Sequence, residues 1–410
     1  MKYSSELVVG WCPGALKPFE SGDGLIVRVR LHLSRLSLVQ LETLAGAAER
    51  FGDGNLYLSN RANMQLRGVT NGKHAPLLEV LAAARLLDSD VRVEAIRNIQ
   101  VSPAVELSAN AGLASGLVAR LEDALAKNET LYQLPGKFGI AVQAGNEIDT
   151  AVVSDVIFLV QGHQIAMVLE GALDKAILFD GTNAAAEGFV SIATAFLRLR
   201  QATPTIRRMR DAVALLGAEA VAKEAGLAAV AHGLPVAEAQ APVGDLAGAY
   251  GIGFAYGEVM REALLEITQL MRREGIADAS VSPRRALVFP AHGQEKAALA
   301  ELAVRLGAIT DPGDIRLRFH RCPGTPACRR ATVESKQHAE AALMALAGTG
   351  FKGKVHISAC EKLCAFQHET DITAIATNGY YTVTGPGSKV FKAVSGADLP
   401  AVIAELARAA

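Results

Sequence analysis

The chain has 410 residues, long enough for more than one hydrophobic core. Half of them are hydrophobic but only 5% are aromatic. Its 41 basic and 42 acidic side chains leave a formal charge of −1, so no global field favours nucleic acid or an anionic membrane, and any anion site must be local. No stretch reaches the roughly 18 uninterrupted apolar residues of a membrane span, and no basic region leads into an apolar run at the N-terminus. The expectation is a cytoplasmic protein that meets neither membrane nor nucleic acid.

In chain order, Gly24 to Arg30 alternates like a strand, and Leu38, Leu41, Ala45 and Ala48 fall on one helical face. Asn55 to Leu58 reads as a second strand and Pro76 to Leu87 as a helix. The Ala-rich stretch from Ala212 to Ala241 ends in Leu234-Pro235 and Ala241-Pro242 and reads as a helix and linker. Beyond it the first pattern returns. Gly251 to Val259 reads as a strand, Arg261 to Glu274 as a helix, Ala286 to Phe289 as a strand and Gln294 to Leu306 as a helix. Ile96 to Pro103 parallels Arg316 to Pro323, and Gly136 to Val142 parallels Gly353 to Ala359. Each pair is followed by a similar strand, Ser154 to Ile157 or Thr370 to Thr373. In this register Ser102 lies opposite Cys322 and Gln143 opposite Cys360, so only the second copy carries thiols. The expected fold is α+β or α/β, with two duplicated halves about a pseudo-twofold and a cleft between them.

Four of the five cysteines fall in two short loops. Cys322 and Cys328 form C-x5-C, Cys360 and Cys364 form C-x3-C, and 31 residues separate the pairs. Two such loops can bring four thiolates to a [4Fe–4S] cubane, and a Pro- and Gly-rich loop before a helix (Arg330 to Leu346) can aim backbone N–H groups at its sulfurs. Structural zinc prefers two to four residues between paired cysteines, and a disulfide suits a secreted chain better. Zinc and unrelated thiols stay open as alternatives. Cys12 stands apart and reads as a small buried residue.

These cysteine pairs, the repeated halves, and the strings Arg61-Ala62-Asn63-Met64-Gln65 and Leu134-Pro135-Gly136-Lys137-Phe138 resemble the sulfite/nitrite reductase hemoprotein family. The resemblance implies a ferredoxin-like half domain and a sulfite-reductase-type α/β domain in each half. The expected boundaries are 1–75 and 76–235, then 236–305 and an iron–sulfur-binding domain over 306–410. Trp11-Cys12-Pro13-Gly14, Ser21-Gly22-Asp23-Gly24-Leu25 and His356 to Ala365 are most similar to a branch of the family that oxidises precorrin-3A in aerobic cobalamin biosynthesis. That branch hydroxylates its tetrapyrrole with O2 and closes a lactone, drawing electrons from an external donor or reductase fed by NAD(P)H. The resemblance implies the [4Fe–4S] cluster and, in that branch, a mononuclear non-haem iron. In the reductases it implies a siroheme joined to the cluster through the last cysteine, Cys364 here.

Either tetrapyrrole carries eight carboxylates and needs a local cationic cradle, for which arginine's planar fork is suited. Arg61, Asn63, Gln65 and Arg67 alternate along a predicted strand and would form one polar stripe. Arg97 and Asn98 precede Ser102-Pro103, and Lys137 follows a Pro-Gly turn. By resemblance, Arg61, Arg97 and Lys137 take the anion-binding positions. Arg28, Arg30, Arg207 and Arg208 read as ordinary solvated or paired charges. The reductases carry basic residues on both sides of Lys137, where this chain has Gly136 and Gly139; Ala359 and Leu363 stand where glycines are expected. His320, His368, Glu369 and Asp371 flank the cysteine loops as candidate ligands for a second iron, although surface-loop and hydrogen-bonding roles suit them better. Gly251-Ile252-Gly253 lacks the rest of a dinucleotide fingerprint, so a separate reductase is expected.

Overall fold

The computed structural model describes residues 12–144, 147–150, 152, 154–366 and 369–409; Trp11 and His368 lie outside them. Mixed α/β structure fills the chain, and no described helix is long and apolar enough to cross a membrane.

Two five-stranded sheets of matching order form the centre. The first runs Phe19–Ser21, Gly24–Val29, Met64–Val69, Leu56–Leu58 and Glu258–Val259. The second runs Gly244–Leu246, Ala249–Gly253, Ala286–Pro290, Asp278–Ser282 and Arg35–Ser37. Each sheet therefore ends on a strand supplied by the other half of the chain. Glu258–Val259 pairs with Leu56 and Tyr57, and Arg35–Ser37 pairs with Asp278 to Ser280. The predicted strand Gly251 to Val259 is thus two strands. Tyr256, with φ of +59°, breaks it and sends its second part across to the neighbouring sheet. The helix Leu38–Phe51 starts at a Ser37–Gln40 capping box and buries Leu41, Leu44, Ala48 and Phe51. Arg261–Glu274 ends at left-handed Gly275 and buries Leu264, Ile267 and Met271 in the same continuous core. The helix expected at Pro76 to Leu87 begins earlier, at Asn71, and runs to Ala83.

Two outer sheets repeat one topology. Ile99–Val101, Ile140–Ala144 and Val156–Gln161 pair in parallel, and Gln164–Leu169 and Lys175–Asp180 add antiparallel strands. In the same way Phe319–Arg321, Val355–Ser358 and Ile372–Thr377 pair in parallel before Tyr380–Thr384 and Val390–Val394. Ile99 faces Ile140 as Phe319 faces Val355, and the Asp155 and Asp371 carboxylates accept from the N–H of Gly139 and Lys354. This pairing sets Gly139 opposite Lys354 and Gln143 opposite Ser358. The register read from the Gly-Lys strings is two residues out, a slip that sequence similarity tolerates because it keeps every side chain on its face. Ser102 and Cys322 do correspond, each directly following its first strand.

Candidate cluster and cationic site

The sheet built on Gly24–Val29 and Met64–Val69 carries a candidate site at each end. At one end, the tight turn between Ser21 and Gly24 grips the first cysteine loop. The Ala327 carbonyl accepts from Ser21 Oγ at 2.5 Å, from the Gly22 N–H at 3.2 Å and from Arg67 Nη2 at 3.1 Å. Arg67 is held by Asp23 in a two-point pair at 2.9 and 3.1 Å. The stripe expected along residues 61–67 therefore loses its last member. Pairing of the two strands slips between Leu25 and Val27, and Arg67 turns to the cysteine loop.

The four thiols of the two loops influence one another. Burial pushes the Cys360 thiol up, and neighbouring Cys322 and Cys328 add to this. Cys364 reaches the surface, yet dense surroundings push it up to about 12, helped by the other three. Cys322 is buried, and its Sγ accepts from the Ala359 N–H at 3.1 Å beside Ser335 Oγ at 3.4 Å. Thiols whose thiolate forms would repel one another, with Cys322 already accepting a backbone hydrogen bond, are a donor set suited to a polynuclear iron–sulfur group, which disperses thiolate charge over several irons. The helix after the first loop is shorter than expected, Ser335–Leu346. Leu363, standing where a glycine is expected, keeps glycine's backbone with φ of +49°.

Among the described residues no three His, Cys, Asp or Glu side chains, the four cysteines included, group closely enough to form a ready-made metal site. His320 stacks on Phe366 with ring centroids 3.7 Å apart and meets Arg285 at 3.2 Å, while Asp371 is tied to the Lys354 N–H.

At the other end of the sheet, Arg28, Arg30 and Arg61 converge. Arg28 is the cross-strand partner of Gln65 and donates to its Oε1 at 3.3 Å. Arg30, 3% exposed, donates to Asn98 Oδ1. Arg61 donates to the Lys137 carbonyl at 3.2 Å. Asn98 also donates to the Gly136 and Phe138 carbonyls, so it fixes the loop that presents the exposed Lys137. Asn63 accepts from the Leu31 N–H and stiffens the same corner. Arg28 Nε, Arg30 Nε and Nη2, and Arg61 Nη1 are buried without a partner among the described residues. Burial lowers the Arg30 pKa to about 10, with Arg28 adding to the effect, and burial also lowers Arg28 and Arg61. Three crowded guanidinium groups with unused donors and no carboxylate ion pair among the described residues form a site that an anion would satisfy. Arg28 and Arg30, expected to be ordinary charges, are central to it. Their alternation on one strand toward Gln65 was the overlooked signal.

Arg97 adjoins Arg30 but is fully engaged. It is 4% exposed, pairs with Asp88 at 2.7 and 2.9 Å and with Glu122 at 3.2 Å, and caps the Arg30 and Leu31 carbonyls. Nε and both Nη atoms are already engaged, which corrects its expected place among the anion ligands. Arg208 behaves as expected, paired with buried Asp155 at 2.7 Å.

Residues 17–84 match the model of the nitrite/sulfite reductase ferredoxin-like half domain. Precorrin-3B synthase of a Sinorhizobium species is 28% identical over 385 residues, which cover 90% of this chain and 82% of that protein. Ferredoxin–nitrite reductase of Leptolyngbya laminosa is 28% identical over 36% of this chain and 30% of that protein, and its counterpart in Synechococcus elongatus is 32% identical over 30% and 25%. The solved NirA protein of Mycobacterium tuberculosis shares the fold with a TM-score of 0.73 and 18% identity, over 93% of this chain and 79% of that one. The family resemblance read from the sequence is borne out.

Proposed function

We propose that this chain, built on the framework of the nitrite and sulfite reductases, acts as a precorrin-3B synthase: an O2-dependent iron–sulfur monooxygenase that hydroxylates precorrin-3A with lactone formation. The supporting observation is the cluster of Arg28, Arg30 and Arg61, whose unused buried donors suit the carboxylates of a wide macrocycle. The similarity to a precorrin-3B synthase over 90% of the chain points the same way. Arg61, Arg30 and Arg28 bind substrate carboxylates, Lys137 adds an exposed cation at the rim, and Gln65 and Asn98 hold the guanidinium groups in place. Arg67, Ser21 and Gly22 steady the cysteine loop. A [4Fe–4S] cluster on Cys322, Cys328, Cys360 and Cys364 would supply single electrons from an external reductase.

Partial similarity to ferredoxin–nitrite reductases keeps a siroheme-dependent sulfite or nitrite reductase as the rival reading. Gly136 and Gly139 leave Lys137 without the flanking cations that would stabilise charge on a small bound anion, a loss worth orders of magnitude in rate. The test is anaerobic purification, a visible spectrum, and assays with reduced donor. Broad cluster absorption and an O2-dependent mass gain on precorrin-3A are expected, with negligible sulfite and nitrite reduction. Sharp siroheme bands with rapid sulfite turnover and no oxygen gained by precorrin-3A would overturn the reading.

A further inference from the structure

Cys12 has no part in the cysteine constellation and was expected to be a buried packing residue. The structure gives it a different place. It is only partly buried, and its backbone N lies 3.7 Å from where a Cβ on Gly136 would stand. The segment that follows it is pinned on both sides. Gly14 accepts from the Arg28 N–H at 3.2 Å, and the Ala15 and Leu16 N–H groups donate to buried Glu94. Cys12 thus stands between the Arg28 strand and the loop that Arg61 and Asn98 tie down. Arg30 reaches Asn98, Asn98 holds the Gly136 carbonyl, and Gly136 adjoins the Cys12 backbone, which sets Cys12 beside the arginine cluster. An independent feature of the same place is Arg30, 3% exposed, whose Nε and Nη2 have no partner among the described residues.

We propose that Cys12 is a ligand-gated thiol on the floor of this cationic cleft: covered when a polycarboxylate macrocycle fills the cleft, and reactive toward electrophiles, anionic ones foremost, when it is empty. The proposal rests on the cleft being the carboxylate site argued above. A guanidinium cluster concentrates anions around it by a factor of 10 or more at low salt, so an anionic reagent should find Cys12 faster than a neutral one of similar size. In alkylation the Cys12 sulfur bonds to the reagent carbon, iodide leaves with the electron pair, and the thiol proton passes to solvent.

The experiment uses the cluster-loaded protein under anaerobic conditions, with labelling at Cys12 followed by peptide mass. Iodoacetate is compared with iodoacetamide, with glutathione as the reference thiol, and both are repeated with uroporphyrin III, an octacarboxylate, whose binding is read separately from its own absorption. The iodoacetate preference at Cys12 should exceed that of glutathione by about tenfold and fall in Arg30→Gln. Arg28→Gln, at a partly exposed position, provides the same comparison if Arg30→Gln does not fold. Saturating uroporphyrin should slow labelling at least tenfold. If uroporphyrin binds and labelling is unchanged, the thiol does not lie in the cleft and the proposal falls. An iodoacetate preference that persists while uroporphyrin fails to bind would sink the carboxylate reading and leave Cys12 as an anion-facing thiol. Equal preference at Cys12 and glutathione would overturn the proposal by itself.

Discussion

Arg61 keeps one guanidinium nitrogen on the Lys137 carbonyl and leaves another without a partner among the described residues, whereas Nε and both Nη atoms of Arg97 are engaged by carboxylates and carbonyls. Removing Arg61 should therefore cost binding, and removing Arg97 should cost the fold. A charge-assisted hydrogen bond is worth about 1.5–3 kcal/mol, so Arg61→Ala should weaken tetrapyrrole binding about ten- to a hundredfold at unchanged thermal stability. Breaking a buried ion pair costs about 3–5 kcal/mol, so Arg97→Ala should lower the melting temperature sharply. Calorimetry with titration of uroporphyrin separates the two, and tight binding by Arg61→Ala would remove it from the site. A second residue gives a pH prediction. His356 is buried beside Phe366 with no partner for Nε2 among the described residues, and burial lowers its pKa from 6.5 to about 4. Its folded pKa is depressed, so protons bind preferentially to the unfolded chain. The stability it allows is complete above pH 6.5 and is lost as pH falls toward 4. That gap corresponds to about 3–4 kcal/mol at most. Thermal unfolding of His356→Leu should show a flatter loss of stability between neutral pH and about 5 than the parent chain. An equally steep loss in the variant would assign the acid sensitivity to other groups.

At the scale of elements, one antiparallel pair links the two candidate sites. Gly24–Val29 runs from the turn on the cysteine loop to the strand end beside Arg30. Gly22 makes close approach possible, because a Cβ there would stand 2.0 Å from the Pro326 carbonyl oxygen. Gly22→Val should push the cysteine loop away and lower iron and acid-labile sulfide together, with no cysteine changed. Iron retained at the parent level would show that the turn does not brace the loop. The helix Arg261–Glu274 was legible to the residue because its apolar spacing and Gly275 stop agree with its tertiary use. Arg28 and Arg30 were misread because a basic residue on a strand looks the same whether it faces water or a cleft. Only the placement of Asn98, Gln65 and the Lys137 loop decides which. The Gly251 to Val259 run was misread for a related reason, since nothing local marks the left-handed turn at Tyr256.

At the scale of the whole molecule, the repeat was visible in the sequence but the exchange of strands was not, since pairing across some 200 residues leaves no local pattern. Arg35–Ser37 completes the sheet of the second half, Glu258–Val259 completes that of the first, and one core runs through both. Each half alone would present an open strand edge and the apolar faces of its helices to water, a combination that favours aggregation. The segment joining the halves is exposed around Gly233, where an added Cβ meets nothing within 4 Å. Covalent continuity and structural integrity can thus be separated experimentally. A protease site inserted at Gly233 and cut after folding should leave one species on size exclusion, with a melting temperature close to that of the uncut chain, because the packed core rather than the linker holds the halves together. Residues 1–232 and 234–410 expressed apart should be insoluble or unfolded, and should recover a joint transition only when co-expressed. A cooperative, soluble fold from either half alone would show that the exchanged strands are decoration on two self-sufficient domains.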